Sequence, residues 1–213
     1  MDEAGTKVVG FLVVIGTILV SMTLHELMHG VVAYKLGDRT AKEEGRLTLN
    51  PLKHLDPIYS VALPAILYLL GAPIFGGAKP VPVNSRNLKG GVWGMALVAL
   101  AGPMTNLILA FLAFLFLWFF DLGAVETMVA YYFMTVNLGF CCFNILPIPP
   151  LDGSRVLYAI LPDKVREVFD GMEATMGVWL VYILLLVTGG VGSSVIGAMM
   201  NEVYQAFCWI IGG

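Results

Sequence analysis

Charged side chains are scarce in this chain of 213 residues: Asp, Glu, Lys and Arg together make up 13% of it, whereas 58% is hydrophobic. The mean hydropathy is +0.84. A soluble domain cannot bury that much apolar surface, so the composition predicts an integral membrane protein. The formal net charge is only −3 and the basic residues fall in loops, which excludes a nucleic-acid-binding protein.

Cysteine is scarce as well. Cys141, Cys142 and Cys208 are odd in number, lie in apolar runs and show no C-x-x-C spacing. They therefore exclude a disulfide framework and a thiolate zinc site. We interpret them as small apolar side chains within helices.

Long apolar runs are abundant, and they lie at about 8–35, 58–73, 92–120, 127–147, 174–188 and 191–212. A helix needs about 20 residues to cross about 30 Å of hydrocarbon, and the first, third and fourth runs meet this length. The fifth run is near the lower limit. The sixth carries Asn201 and Glu202 near its middle, so it can span the membrane, lie at its surface or pack inward.

The second run differs from the others because Pro64 and Pro73 interrupt it and the glycine-rich GAPIFGGAKP follows. This pattern favours a hairpin, since irregular backbone at membrane depth is tolerated only against protein or a water-filled cavity. We therefore predict an all-α polytopic membrane protein with about five to six membrane segments. A re-entrant or short β-like hairpin region separates its first and second full spans. Because no repeat or linker is visible, we treat residues 1–213 as one membrane-embedded domain.

The loop charges predict an orientation in the membrane. Basic residues concentrate in loops 35–53, 79–89 and 152–173, whereas the connection 121–126 carries acids and no base. The positive-inside rule places the three basic loops in the cytoplasm and the acidic connection outside. The second run then enters and leaves on the same side, as a re-entrant hairpin does.

Ionisable residues interrupt the first apolar run at His25-Glu26-Leu27-Met28-His29, an H-E-x-x-H sequence. Four residues make just over one helical turn, so His25 and His29 share one face and can bind one zinc ion. Glu26 lies beside them, in position to act as a general base towards a water on that zinc. Ionisable groups in a membrane helix are costly and indicate function. The helical rise places His29 about 9 Å from Lys35, nearer the cytoplasmic face.

Two other roles compete with zinc-dependent hydrolysis for these residues, and the sequence supports both of them less well. A polar hydrogen-bonded cluster between helices would need no metal, but ionisable groups are an expensive way to build one. Half of a di-iron site would need a second E-x-x-H and further carboxylates on facing helices. The chain contains no second E-x-x-H.

A hydrolytic zinc takes three protein ligands and a water, so a third ligand is needed. Asp152 is the strongest candidate, in the segment FNILPIPPLDGSRVLYAIL, where prolines prevent a regular helix before the aspartate. The competing role for Asp152 is a helix N-cap. For the remaining histidine, His54, and the nearby Asp56, a solvated loop or local turn contacts are favoured over metal ligation.

These motifs together resemble the site-2 proteases, a family of intramembrane zinc metalloproteases. The resemblance covers most of residues 20–160. Its segments occur in the family's order: HELMHG, LGDRTAKEEGRLTLNPLKHLDP, GGAKPVPVNSRNLKGGVWGMALVALAGPMTN and NILPIPPLDGSRVL. Without a PDZ insertion or a C-terminal CBS region, the chain is similar to a minimal form of the family.

The resemblance implies a role for each site residue. His25, His29 and Asp152 are the implied zinc ligands, and Glu26 is the implied catalytic base. Asn144 matches the family asparagine that stabilises the reacting carbonyl. Asn106 matches a recurrent motif position to which we assign no role.

The implied activity is that of a zinc endopeptidase with one Zn²⁺ per chain. It would hydrolyse peptide bonds in or near transmembrane helices, as in regulated intramembrane proteolysis. The expected partners are a transmembrane protein substrate and the lipid bilayer, and the expected location is the cell membrane, with multiple passes and an active site nearer the cytoplasmic face. The extended segment 78–84 can hold substrate by strand addition or serve as a structural linker.

Two further functions compete with proteolysis. A metal transporter could use the same ligands, but transporters favour repeats and several ionisable residues along a path, whereas this chain has one clustered site. A catalytically inactive scaffold has no support, because every expected ligand and the base are present. The oligomeric state stays open.

Overall fold

The computed structural model describes residues 3–62, 66, 77–171 and 192–212, and within them the regular structure is helical, with no β-strand. The α-helices are α1 Glu3–Lys35, α2 Thr40–Glu43, α3 Gly91–Phe119, α4 Ala124–Asn144, α5 Asp152–Ile160 and α6 Gly192–Gly212. Residues 163–171 are also helical. Shorter helical turns are Pro51–Lys53, Pro57–Ala62 and Ser85–Asn87. The all-α part of the predicted fold class is thereby confirmed for the described residues.

Two of the described helices are long and apolar enough to cross a membrane, over Val8–Lys35 and Gly91–Phe119. By length, the sequence predicts that the first, third and fourth apolar runs each span the membrane, among about five to six membrane segments. The fourth run forms α4, which is 21 residues long, but polar residues such as Tyr131, Tyr132 and Asn137 lower its apolarity. The two apolar helices indicate a membrane protein.

The described residues do not include most of the predicted hairpin or the fifth apolar run. Most of the second run, at 63–65 and 67–76, lies outside the described residues, as does 172–191 with the fifth run. The sixth run is a continuous helix, α6. The count of five to six membrane segments stays a prediction.

Helix α3 is the centre of the bundle and packs against α1, α4 and α5. Small side chains make this possible: Gly94, Ala96, Ala99 and Gly102 are buried along it. Small residues let helix backbones approach closely, which is the usual way that helices associate in a membrane. The helices α1 and α3 run antiparallel, because His29 contacts Val98 while the earlier His25 contacts the later Asn106.

An apolar core closes the end of the bundle away from the histidines. It is formed by α3, α4 and α6, with Ala110, Phe114, Met134, Leu138 and Phe207 buried together. The rings of Phe114 and Phe207 lie 5.6 Å apart. This packing holds α3 and α4 together beyond the point where their polar residues meet.

A buried aspartate fastens the loop after α1. Asp38 is fully buried, and its carboxylate accepts hydrogen bonds from the Thr40 hydroxyl at 2.6 Å, the Asn84 N–H at 2.7 Å and the Asn87 amide at 3.1 Å. Burial acts to raise the pKa of the Asp38 carboxyl, but these hydrogen bonds outweigh it and lower the pKa below its usual value. The end of α1 is thus tied to residues 84–87.

Residues 77–84 have no regular structure, and protein side chains hold their backbone. The buried Arg46 donates from Nη2 to the carbonyl oxygens of Lys79 at 2.8 Å and Pro80 at 3.3 Å. The Lys79 N–H donates to the carbonyl oxygen of His54 at 2.8 Å, and the Val81 N–H donates to Glu26 at 2.9 Å. These contacts favour the structural-linker alternative for this segment, which crosses the H-E-x-x-H turn.

Candidate metal centre

The two histidines of the H-E-x-x-H sequence lie one turn apart on α1 and face the first residue of α5. His25 Nε2 is 3.1 Å and His29 Nε2 is 3.4 Å from the Oδ2 atom of Asp152. Both imidazoles are buried, and their ring centroids are 4.7 Å apart. The fold thus brings one turn of α1 against a residue more than a hundred positions later, directly after the proline-rich segment.

Further hydrogen bonds occupy the far side of each imidazole ring. His25 Nδ1 is 2.5 Å from Asn106 Oδ1, and His29 Nδ1 is 2.7 Å from the carbonyl oxygen of Val98. Both partners are acceptors, so in the neutral imidazoles each Nδ1 carries the proton and each Nε2 has the lone pair. Asp152 Oδ2 is buried and has no hydrogen-bond donor. The two Nε2 atoms and Asp152 Oδ2 therefore converge on one point, where a proton or a metal cation offsets their mutual repulsion.

The donor set fits zinc. Two imidazole nitrogens and one carboxylate oxygen, all within 4.8 Å of one another, form the single cluster of this kind among the described residues. Three such ligands with an open fourth position are typical of catalytic zinc. The competing N-cap role for Asp152 is wrong, because Leu151 occupies the N-cap position of α5 and no side chain caps the helix.

Glycine makes room for the imidazoles on α3. A Cβ atom at Gly102 would lie 2.5 Å from both His25 Nε2 and His29 Nε2. Val98, Gly102 and Asn106 are spaced by four residues and share one face of α3. This face therefore supplies an acceptor for each histidine and the space between them.

Glu26 is adjacent to the ligands in sequence but does not belong to their cluster. Its Oε2 atom accepts the Val81 N–H at 2.9 Å. A backbone donor on one oxygen orients the Glu26 carboxylate beside the cluster. This arrangement suits a general base better than a metal ligand.

The sequence is similar to those of several bacterial zinc metalloproteases. It is 42% identical over 194 residues to the putative zinc metalloprotease YwhC of Bacillus subtilis, covering 87% of this chain and 84% of YwhC. It is 33% identical over 185 residues to the putative zinc metalloprotease Rip2 of Mycolicibacterium smegmatis, covering 84% and 68%. The chain belongs to this zinc metalloprotease family. Membership confirms the family resemblance drawn from the motifs.

An archaeal relative is similar to a shorter part of the chain. The putative zinc metalloprotease MJ0611 of Methanocaldococcus jannaschii is 34% identical over 136 residues, covering 62% of each chain. No family model matches the chain. No solved structure matches it either.

The asparagine implied by the metalloprotease resemblance lies at the end of α4. Asn144 is the last residue of that helix, and its side-chain amide donates to the carbonyl oxygen of Phe140 at 3.0 Å. The amide is thus engaged with its own helix. Its contact with a reacting carbonyl stays a prediction.

The third histidine, His54, is not part of the cluster. His54 is fully buried, and its Nε2 atom lies 2.9 Å from the carbonyl oxygen of Thr48. Asp56 makes local contacts, accepting the Ile58 N–H at 2.8 Å. The solvated-loop alternative is wrong for His54, and the alternative of local turn contacts is confirmed for both residues.

Sequence reasoning missed two polar residues that support the cluster. Asn137 on α4 and Ser21 on α1 are fully buried and contact each other, and Asn137 also contacts Asn106. The available signal was an uncharged polar residue inside an apolar helix, which is expensive unless it has a partner. The identity of the partner depends on which helices pack together, and a local sequence pattern does not specify that.

Proposed function

We propose that this protein is a zinc endopeptidase that cleaves peptide bonds in or next to the transmembrane helices of membrane-protein substrates. The observation that carries the proposal is the convergence of His25, His29 and Asp152 beside a separately held Glu26. The names of the relatives, zinc metalloprotease in each case, support the same activity and the same metal. One zinc ion per chain follows from one three-ligand cluster.

The proposal also covers the setting of the site. We expect a multi-pass protein of the cell membrane with about five to six membrane segments and a re-entrant hairpin before residue 77. The basic loops 35–53 and 152–173 support an active site nearer the cytoplasmic face. Asp152 follows the proline-rich turn directly, and Lys35 ends α1. In this orientation we expect both residues to lie near the cytoplasmic face of the membrane.

The residues of the chain have distinct tasks in hydrolysis. When bound, zinc supplies the Lewis acidity that polarises a peptide carbonyl and makes water acidic. Glu26 takes the proton of the attacking water and later gives it to the leaving amine. Asn144 donates a hydrogen bond to the carbonyl oxygen as negative charge develops there. Val81 N–H keeps Glu26 oriented during both proton transfers.

The substrate class follows from the physical state of a membrane helix. In a continuous helix the carbonyl oxygens are already hydrogen-bonded and neighbouring turns cover the peptide bond. The substrate must therefore unwind locally before it can be cut. Glycine and proline lower the cost of unwinding, so we expect substrates with such residues near the cytoplasmic third of the helix.

A metal transporter with the same ligands is the alternative, and nothing favours it. The described residues contain one cluster of potential metal ligands, whereas a transport path needs further ionisable groups along it. The experiment that separates the two uses full-length protein in proteoliposomes with a fluorescent zinc reporter inside. Proteolysis predicts cleavage of a co-reconstituted helical substrate and no zinc flux. Zinc flux without cleavage would overturn the proposal.

The same preparation tests the intramembrane part of the proposal. A Gly-Pro pair is moved stepwise along the transmembrane helix of a resistant substrate at fixed enzyme concentration. We expect cleavage to become faster only when the pair lies in the cytoplasmic third. A rate that is indifferent to the position of the pair would mean that substrates are recognised by side-chain sequence or by docking outside the membrane.

A further inference from the structure

A chain of buried polar side chains leads away from His25 on the side opposite Asp152. Asn106 on α3 donates from Nδ2 to Asn137 Oδ1 on α4 at 2.8 Å. Asn137 donates from Nδ2 to the hydroxyl of Ser21 on α1 and to the carbonyl oxygen of Phe133, both at 2.8 Å. Asn106, Asn137 and Ser21 are all fully buried. Buried polar groups are costly unless each is bonded, so these contacts specify one arrangement of the three helices.

The Phe133 carbonyl, at the far end of this series of hydrogen-bonded side chains, sets the direction of each hydrogen bond in the series. The two ends of an asparagine amide look alike, so their orientation is assigned from the partners. The Phe133 carbonyl can only accept, which turns the NH₂ group of Asn137 towards it and leaves Oδ1 for Asn106. Asn106 must then offer its NH₂ group to Asn137 and its Oδ1 atom to His25. A second carbonyl, that of Ser21, lies 3.5 Å from Asn106 Nδ2 and favours the same orientation.

The consequence is a fixed tautomer of His25. In the neutral imidazole, Nδ1 faces an acceptor and carries the proton, so Nε2 has the lone pair on the side of Asp152. In the opposite tautomer a proton on Nε2 would block metal binding. His29 reaches the same state more directly, because its Nδ1 faces the backbone carbonyl of Val98. One ligand is therefore set by backbone and the second by a relay of side chains.

We propose that Asn106 and Asn137 are positioning residues that hold His25 in its metal-binding tautomer, with the orientation relayed from the Phe133 carbonyl. The proposal rests on the zinc site of the proposed function. It deepens that function because it assigns a task to two residues on helices that carry no metal ligand. Outer partners of metal-binding histidines typically contribute about 10–100-fold to metal affinity.

The first measurement is zinc affinity of the full-length protein in detergent, by competition with a chromophoric chelator. Asn106→Leu keeps the side-chain volume and removes the acceptor, so we expect zinc to bind about 10–100-fold more weakly. Asn106→Asp keeps an oxygen towards His25 and should restore most of the affinity. Asn137→Leu leaves Asn106 free to rotate and should give an intermediate loss. Thr105→Val is the matched control on α3, because the Thr105 hydroxyl donates within its own helix, to Ala101.

The second measurement reports the tautomer directly and does not depend on activity. In protein loaded with Co²⁺, an imidazole N–H near the metal gives a strongly shifted proton NMR signal that disappears in D₂O. We expect one such signal from each histidine in the wild type and in Thr105→Val. Asn106→Leu and Asn137→Leu should broaden or remove the signal of His25 and keep that of His29. A merely structural role would affect both histidines alike.

The outcomes separate the relay from the proteolytic function. Unchanged zinc affinity and intact signals in Asn106→Leu would overturn the relay. If that variant fails to fold, Asn137→Leu and the rescue by Asn106→Asp decide the matter in the same way. A wild type that binds zinc with both signals yet cleaves no helical substrate would overturn the proposed proteolysis and leave the relay standing.

Discussion

The histidines and the glutamate of the H-E-x-x-H turn contact different partners. These contacts distinguish the candidate metal ligands from the candidate base. His25 and His29 direct Nε2 towards Asp152, whereas the carboxylate of Glu26 faces the Val81 N–H. A metal ligand needs a free lone pair aimed at the cluster, and a base needs one oriented beside it. Substitutions at single residues should therefore separate metal binding from catalysis.

Asp152→Ala should lose most of the bound zinc, because it removes the only carboxylate in the cluster of the described residues. The zinc content of purified protein, measured by elemental analysis, checks this. His54→Gln is the control: it keeps a donor for the Thr48 carbonyl and should retain about one zinc per chain. Full zinc retention in Asp152→Ala would remove Asp152 from the ligand set.

Glu26→Gln should keep zinc and the fold and lose cleavage by about 100-fold or more, since the base is removed. Glutamine has the same shape, and its amide oxygen can still accept the Val81 N–H. The measurement is single-turnover cleavage of a helical substrate alongside zinc content. Wild-type turnover in this variant would falsify the assignment of Glu26 as the base.

At the scale of elements, the site depends on how closely α1 and α3 approach. The contact is made where a glycine of α3 faces both imidazoles, and acceptors one turn to either side bond to their outer nitrogens. A second element, the extended segment 77–84, lies over the same turn and holds the base. Each contact can be tested by a small change in backbone or side-chain volume.

Gly102→Ala should abolish zinc binding and destabilise the protein by about 1–3 kcal/mol through overpacking. The added methyl group would lie 2.5 Å from both Nε2 atoms, and the imidazoles are held by their outer bonds. Zinc content and thermal unfolding in detergent check this. Gly16→Ala, on α1 with open space around the new Cβ atom, is the matched control and should bind zinc normally.

Val81→Pro should lower cleavage by about tenfold or more with zinc retained, because proline has no N–H to donate to Glu26. Val81→Ala keeps that N–H and loses only packing around the buried side chain, so its turnover number should stay near wild type. Cleavage kinetics of both variants against one substrate provide the comparison. Equal rates for Val81→Pro and Val81→Ala would show that the base needs no donor from this segment.

At the scale of the whole molecule, the apolar helices α1 and α3 indicate a membrane protein, and the loop charges add a direction. In that orientation the metal cluster, the proline-rich turn and the basic loops share one side, and the connection between α3 and α4 lies on the opposite side. Water would then reach the buried cluster by a short path from the cytoplasm.

The orientation can be tested with single cysteines in a protein lacking Cys141, Cys142 and Cys208. An impermeant thiol reagent should label Asp121→Cys, in the exposed connection before α4, on intact cells. It should label Asp163→Cys, whose native side chain is 92% exposed, only after the membrane is opened. The reverse pattern would mean that the loop charges predict the wrong orientation.

The sequence by itself determined what depends on neighbouring residues. The helical period placed His25 and His29 on one face, and the prolines of 147–150 separate the end of α4 from Asp152, as the structure has it. The apolar composition indicated the class of protein. The motifs indicated the family and the identity of the candidate ligands. All of these are properties of a single turn, a single segment or the whole composition.

Tertiary structure decided what depends on packing between distant segments. The Cβ space at Gly102, the Glu26–Val81 contact and the relay through Asn137 join residues 55 to 116 positions apart. No local pattern specifies these contacts, because a buried asparagine or glycine has the same sequence signal whichever helix it meets. The H-E-x-x-H turn thus supplied the chemistry, and the packing of α1, α3 and α4 set the hydrogen-bond partners and geometry of its histidines.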